Sequence, residues 1–260
     1  MLKYTAIKVL YWSLCIICLV TAYFYGLAWC WLALMLTGLY IAIIVYGSFN
    51  VGAQFFVRFY NKGSITKKHI ALTFDDGPSP ETIGVLDMLK EYNVKATFFV
   101  IGKRVQEYPE IVKRMVEEGH VIGNHTYNHA KGTAFYNVQK LEQELTATIG
   151  EVFKATALKM NFYRPPFGVT SPSTAKVVAK LGLNVIGWSL RSFDTTLKTA
   201  QSIIDDAMRA VKPGDVILFH DDRIKVQEIL KHIIPALQYQ KYLFVTVDEL
   251  FELEAYSYDK

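Results

Sequence analysis

Four short runs place acids, histidines and an arginine where apolar stretches end. The first is Thr73-Phe74-Asp75-Asp76-Gly77-Pro78, two adjacent carboxylates followed by a Gly-Pro that turns the chain away. One carboxylate can hold a cation while the other takes a proton from water; on its own the run reads equally well as a turn. The second is His125-Thr126-Tyr127-Asn128-His129. On one helical turn this spacing puts both imidazoles on one face, a common way to bind a transition metal. With Asp76 they form three protein ligands, the number that leaves positions open for water and substrate. The third is Arg164-Pro165-Pro166-Phe167-Gly168. Here Arg164 can grip a carboxylate, and the Phe167 N–H is available to an oxyanion; the plain alternative is a stiff surface loop. The fourth, Leu218-Phe219-His220-Asp221, ends an apolar run on a histidine that could protonate a leaving amine. A lone histidine in such a place is more often structural.

These runs need elements to carry them. Apolar and β-branched segments at Ile70–Phe74, Thr97–Ile101, Phe162–Arg164, Asn184–Trp188, Asp215–Phe219 and Leu243–Val247 read as strands. Helical patterns fall between them at Thr82–Tyr92, Pro109–Glu118, Asn137–Phe153, Ser173–Leu181, Thr199–Val211 and Ile224–Tyr239. Pro109 suits a first turn and Gly119 a C-terminal stop. The alternation argues for a parallel α/β architecture, and about seven strands suggest a small, incomplete barrel. The four runs then share the strand-end edge where such folds build their sites.

The chain has 260 residues, 28 Lys and Arg against 24 Asp and Glu, and a formal charge of +4. That balance and the absence of a dense basic run argue against a nucleic-acid partner. From Val9 to Phe49 there is no charged residue, about twice the length one membrane span needs. Two spans fit, Thr5–Phe24 and Ala28–Tyr46, turning near Gly26, so residues 1–50 read as a transmembrane helical hairpin. Cys15, Cys18 and Cys30 all lie in it, leaving no disulfide framework for the remainder. With two spans, Lys3, Lys8, Arg58, Lys62, Lys67 and Lys68 place both ends on the cytoplasmic face; with one span the domain faces outward. Residues 51–68 read as a linker, 69–252 as the catalytic domain and 253–260 as a tail.

In their order the four runs resemble the polysaccharide deacetylases, the NodB-homology group also called carbohydrate esterase family 4, over roughly His69 to Leu250. The resemblance implies a distorted (β/α) barrel and a divalent metal ion, usually Zn2+. It implies Asp75 as catalytic base, Asp76, His125 and His129 as metal ligands and His220 as catalytic acid, with Phe74, Phe167 and Leu218 bordering the substrate. The family usually carries Asp-x-x-Asp-Trp between the third and fourth runs, where this chain has Arg191-Ser192-Phe193-Asp194-Thr195. Asp194 matches the second acid, which the resemblance pairs with Arg164; Arg191 replaces the first acid and Thr195 the tryptophan. The expectation is a hydrolase anchored in a bacterial inner or cytoplasmic membrane. It would remove N-acetyl or other N-acyl groups from amino sugars of a cell-envelope glycan or lipid-linked saccharide. The competing class is a non-catalytic sugar-binding membrane protein on a degenerate deacetylase fold, against which stands the presence of base, acid and all three ligands.

Overall fold

The structure, a computed structural model, describes residues 2–257; the last three residues of the expected tail lie outside them. It opens with two antiparallel helices, α1 (Leu2–Tyr25) and α2 (Ala28–Phe49). Gly26, at φ +99°, makes the turn between them. Their facing sides pack through a Tyr11–Tyr40 ring stack and a 3.1 Å Tyr11–Thr37 hydroxyl contact. Most of their other side chains are exposed.

Eight strands then form one curled, wholly parallel sheet. In chain order they are β1 (Phe59–Tyr60), β2 (His69–Asp75), β3 (Thr97–Val100), β4 (Val121–Asn124), then β6 (Phe162–Tyr163), β7 (Asn184–Ile186), β8 (Leu190–Arg191) and β9 (Val216–His220). Strand β5 (Lys159–Met160) pairs separately with β11 (Tyr256–Ser257), and β10 (Leu243–Phe244) pairs with the start of β2. The sheet order is β1-β7-β6-β4-β3-β2-β9-β8. The half-barrel stays open, with β1 and β8 at its edges. Helices α3 (Pro80–Glu91), α4 (Gly102–Glu107), α5 (Pro109–Glu117), α6 (Val138–Thr156), α7 (Pro172–Leu181), α8 (Ala200–Ala210), α9 (Ile224–Tyr239) and α10 (Val247–Phe251) complete the domain.

Local chemistry sets the helix starts. Pro80 and Pro172 fill first-turn positions, and Asn137 and Thr199 accept from the backbone N–H groups of Lys140 and Ser202 at 2.8 and 3.2 Å. The main core lies between the outer sheet face and α3, α5, α8 and α9, built from residues such as Leu72, Phe74, Phe98, Phe219 and Ile233. Strand β4 and helix α4 have no counterpart in the elements read from sequence. Only Val121 and Ile122 of β4 are apolar, and Gly123 is there because a Cβ would strike the Phe99 ring.

Residues 51–68 are more closely bound to the domain than a linker would be. Strand β1 pairs with β7, and Phe55, Phe56, Val57 and Phe59 are buried against Tyr163, Val177 and Val185. The hairpin joins this same cluster. Tyr4 packs on the Phe55 and Phe56 rings, and a Cβ at Gly47 would collide with Phe55. The Thr170 N–H also donates to the Ser48 carbonyl at 3.0 Å.

Candidate active site and metal centre

Strand register sets the first half of the site. Asp75 closes β2 directly opposite His220, the last residue of β9. Thr73 and Asp75 share one face of the strand, so the intervening Phe74 points the other way. Phe74 is fully buried, stacked between Phe98 and Phe219. It is therefore a core residue, and its expected place beside the substrate is corrected. Asp76 follows at φ +73°, a left-handed bend that turns its carboxylate back over the strand end beside that of Asp75.

The two histidines arrive by a route other than the expected helical turn. Strand β4 ends at Asn124, and residues 125–129 form a loop with Thr126 at φ +68° and His129 at φ +49°. Buried Glu144, from the inner face of α6, holds this loop. Its carboxylate accepts from the Tyr127 and Asn128 N–H groups at 3.0 and 2.9 Å and from the Asn128 side-chain amide at 2.8 Å. Asn124 Oδ1 accepts from Thr126 N–H at 2.9 Å. The rings of His125 and His129 still come together, with centroids 4.8 Å apart. Glu144 went unnoticed in the sequence, although an acid among Leu141, Leu145, Thr148 and Val152 on a buried helix face was a usable signal.

These bends bring Asp76, His125 and His129 to one point. Asp76 Oδ1 lies 3.3 Å from His129 Nε2 and 3.6 Å from His125 Nε2. Two imidazole nitrogens and a carboxylate oxygen bound to one zinc-like ion at about 2 Å in a tetrahedral array would stand about 3.3 Å apart. Asp76 Oδ1 is buried and accepts no hydrogen bond among the described residues, an orphan that a cation would satisfy. His125 Nδ1 donates to the Arg164 carbonyl at 2.7 Å, which leaves its Nε2 lone pair for the cluster. Burial and the nearby His125 hold His129 below the ordinary imidazole pKa, in the neutral form a ligand needs. Burial pushes the Asp76 carboxyl up, but His125, His129, His220 and Arg104 outweigh it and hold it below its ordinary value. The residues fit a divalent cation.

Arg164 holds Asp75, whereas Asp194 serves a different partner from the one expected. The Arg164 guanidinium is fully buried and donates to Asp75 Oδ1 at 2.7 Å, to Thr73 Oγ1 at 2.9 Å and to the Gly187 carbonyl at 2.7 Å. Asp194 does not pair with it. Its Oδ2 accepts from the His220 backbone N–H at 2.7 Å and its Oδ1 from His220 Nδ1 at 2.9 Å. The reason is topological: Asp194 follows β8, the neighbour of β9, whereas Arg164 follows β6, five positions from β8 along the sheet. Burial lowers the His220 pKa, but the Asp194 hydrogen bond and charge, with help from Asp75 and Asp76, carry it up to about 9. That shift favours the imidazolium, whose Nε2–H makes no hydrogen bond among the described residues.

Asp75, Asp76, His125, His129 and His220 open into one cavity of about 420 Å³, which Phe167, Trp188, Arg191, Thr195 and Leu218 also line. Phe167 sits at φ +59°, and its N–H enters no backbone hydrogen bond among the described residues. Arg104 was not foreseen; it donates to the Asp76 carbonyl at 2.6 Å and reaches Asp222 Oδ2 at 3.3 Å, bracing the turn that carries Asp76.

Comparison with known proteins agrees with this architecture. A family profile described as polysaccharide deacetylase matches residues 62–186. The chain is 38% identical over 190 residues to a peptidoglycan-N-acetylglucosamine deacetylase of Bacillus cereus, covering 71% of this chain and 88% of that one. It is also 38% identical over 187 residues to the peptidoglycan-N-acetylglucosamine deacetylase PgdA of Listeria monocytogenes, covering 72% of this chain but only 39% of that longer one. The crystal structure of the Bc1960 peptidoglycan N-acetylglucosamine deacetylase superposes with a TM-score of 0.71 at 33% identity, over 75% of this chain and 93% of that one. The parallel half-barrel with a strand-end site of acids and histidines defines a deacetylase-type fold. The chain belongs to the polysaccharide deacetylase family.

Proposed function

We propose that this chain is a membrane-anchored, metal-dependent deacetylase. It removes N-acetyl or other N-acyl groups from amino sugars of a cell-envelope glycan or lipid-linked saccharide. The observation that carries the reading is the Asp76–His125–His129 cluster flanked, in one cavity, by Asp75 on one side and His220 on the other. Relatives bearing peptidoglycan deacetylase names support the substrate class. Two apolar helices of 23 and 22 residues, each long enough to cross a bilayer, support the anchor.

Asp76, His125 and His129 would hold a divalent cation such as Zn2+, which would supply Lewis acidity toward a water and an acyl carbonyl. Asp75 accepts the proton of the attacking water on the oxygen that Arg164 leaves free. Arg164 fixes the carboxylate plane through its 2.7 Å bond to Asp75 Oδ1. The Phe167 N–H faces the oxygen that gains charge. His220 Nε2 gives its proton to the departing amine, and Asp194 holds the ring for that transfer.

The test is acetate release from an N-acetylated chitooligosaccharide and a peptidoglycan fragment by the full chain in detergent. Chelation is expected to abolish release and zinc to restore it. His129→Ala is expected to lose bound zinc and turnover together. Undiminished turnover after metal removal would sink the reading.

A further inference from the structure

Beside the catalytic cavity lies a second one of about 570 Å³, almost wholly apolar. One wall is the C-terminal end of α2, with Ile44, Val45 and Phe49; the other is the loop bearing Pro166 and Val169. The two cavities share Lys131 and Phe167 in their linings, so they meet at the metal-site mouth. Lys131 is exposed and has no hydrogen bond or ion pair among the described residues. The loops at this strand-end edge also expose large apolar side chains: Phe135 at 91%, Phe167 at 55%, Leu197 at 104% and Ile224 at 77%. Apolar surface of that kind at a site for hydrophilic sugars has no use in water.

The hairpin explains the arrangement. Helix α2 is 22 residues long, about 33 Å at 1.5 Å per residue, close to the hydrocarbon thickness of a bilayer. Its C-terminal end forms the groove wall, and Ser48 is bonded to Thr170 of the opposite wall. With α2 in a membrane, the groove opens at the bilayer surface and runs from there to the metal site.

Resting on the deacetylase reading, we propose that the substrate is an amphiphile: an N-acylated amino sugar joined through a phosphate to a long hydrocarbon chain. The chain lies in the groove against Ile44, Val45 and Val169. The phosphate meets Lys131 where the two cavities join, and the sugar reaches the metal site. Charge and polarity follow that order along the continuous surface, apolar then cationic then catalytic. A water-soluble glycan strand would leave the groove empty.

Two probes with the same headgroup decide it: N-acetylglucosamine 1-phosphate, and its polyisoprenyl ester in detergent micelles. Each buried methylene multiplies affinity about fourfold, so a groove taking four of them gives the lipid form an advantage in kcat/KM on the order of 100-fold. Val45→Trp fills the groove and is expected to remove at least tenfold of that advantage, with the soluble probe unchanged within about twofold. Lys131→Gln is expected to weaken both phosphate-bearing probes at least tenfold more than a neutral chitooligosaccharide. Equal kcat/KM for the two phosphate probes, or equal loss on both in Val45→Trp, overturns the proposal. If neither probe nor the chitooligosaccharide is deacetylated in the zinc-loaded protein, the deacetylase reading fails by itself. The groove is then judged by binding: the lipid probe must raise the Tm of the full chain and not that of Val45→Trp. A shift of equal size in both, as ordinary bilayer lipid would give, refutes it.

Discussion

The Asp194–His220 pair gives the sharpest test of the proposed chemistry. Asp194 uses both oxygens on one residue, at 2.7 Å to the His220 backbone N–H and 2.9 Å to its ring Nδ1. Asp194→Asn keeps the volume and one acceptor but removes the charge. Burial, which by itself lowers the imidazole pKa, then acts with less opposition. Asp75 and Asp76 still act to raise it, so a return from about 9 to the ordinary 6.5 is the upper bound, about 3 kcal/mol of lost preference for the imidazolium. At that bound, at pH 8, the native acid is about 90% protonated and the variant's about 3%, so kcat falls by up to about 30-fold from protonation alone. The assay is the pH profile of kcat, read as the displacement of its alkaline limb between the two proteins. A cation at Asp76 moves both limbs in the same sense and leaves their separation as the measured quantity. Stability reports the same coupling with a definite sign. A raised folded-state histidine pKa contributes stability that is full below about 6.5 and lost as pH rises through about 9. The native protein therefore loses up to about 3 kcal/mol across that window, and the variant does not. An alkaline limb that stays in place with kcat intact would refute the assignment of His220 as the acid and of Asp194 as its support.

Two other groups make comparable predictions. Arg164→Met removes the buried partner of Asp75 and leaves its carboxylate uncompensated; a cost of about 3–5 kcal/mol is expected in denaturant unfolding, and a cost below 1 would show that the pair does not matter to folding. Asp221 is fully buried, and burial with the neighbouring Asp222 lifts its carboxyl to about 7, against a bond from Thr82 Oγ1 at 2.6 Å that favours ionisation. A raised acid pKa gives stability that is full below about 4 and lost as pH rises through about 7, so Asp221→Asn is expected to flatten the stability curve between those values by up to about 4 kcal/mol; an unchanged slope contradicts this.

The strand ends were legible because each is an uninterrupted apolar run closed by polar chemistry, and that alone placed Asp75, Arg164 and His220 at one edge. The histidine spacing was ambiguous, since residues four apart meet on a helix or in a tight loop, and what selects the loop is Glu144, distant in sequence. Phe74 is a different case. Strand parity already required it to oppose Asp75 and Thr73, and adjacency to the acids obscured that. Asp194 was found from its position in the family pattern, but its partner depended on β8 lying beside β9, a pairing of two residues with no signal of its own. The polar run at 61–68 read as a linker because lysines dominate it, while Phe55-Phe56-Val57 just before it already had the composition of a core.

That last stretch bears on why hairpin and site behave as one body. The family match begins at residue 62, yet the cluster holding Phe55 and Phe56 takes in Tyr4, Ile7, Ile43 and Ile44 from the hairpin as well as Tyr163 beside Arg164. Val51, just past α2, packs where Cβ atoms at Gly168 and Gly187 would stand. Gly187 supplies a carbonyl to Arg164, and Gly168 follows Phe167, the residue offered for oxyanion stabilisation. The contacts that seat the helices therefore also back the residues that orient Asp75. A tether needs only length and apolarity; a helix whose last turn is fitted to the catalytic loop fixes the height and orientation of the site as well. Were the hairpin seated in a bilayer as proposed, such fitting would select among substrates by where their N-acyl group lies relative to the membrane surface, before any contact with the sugar itself.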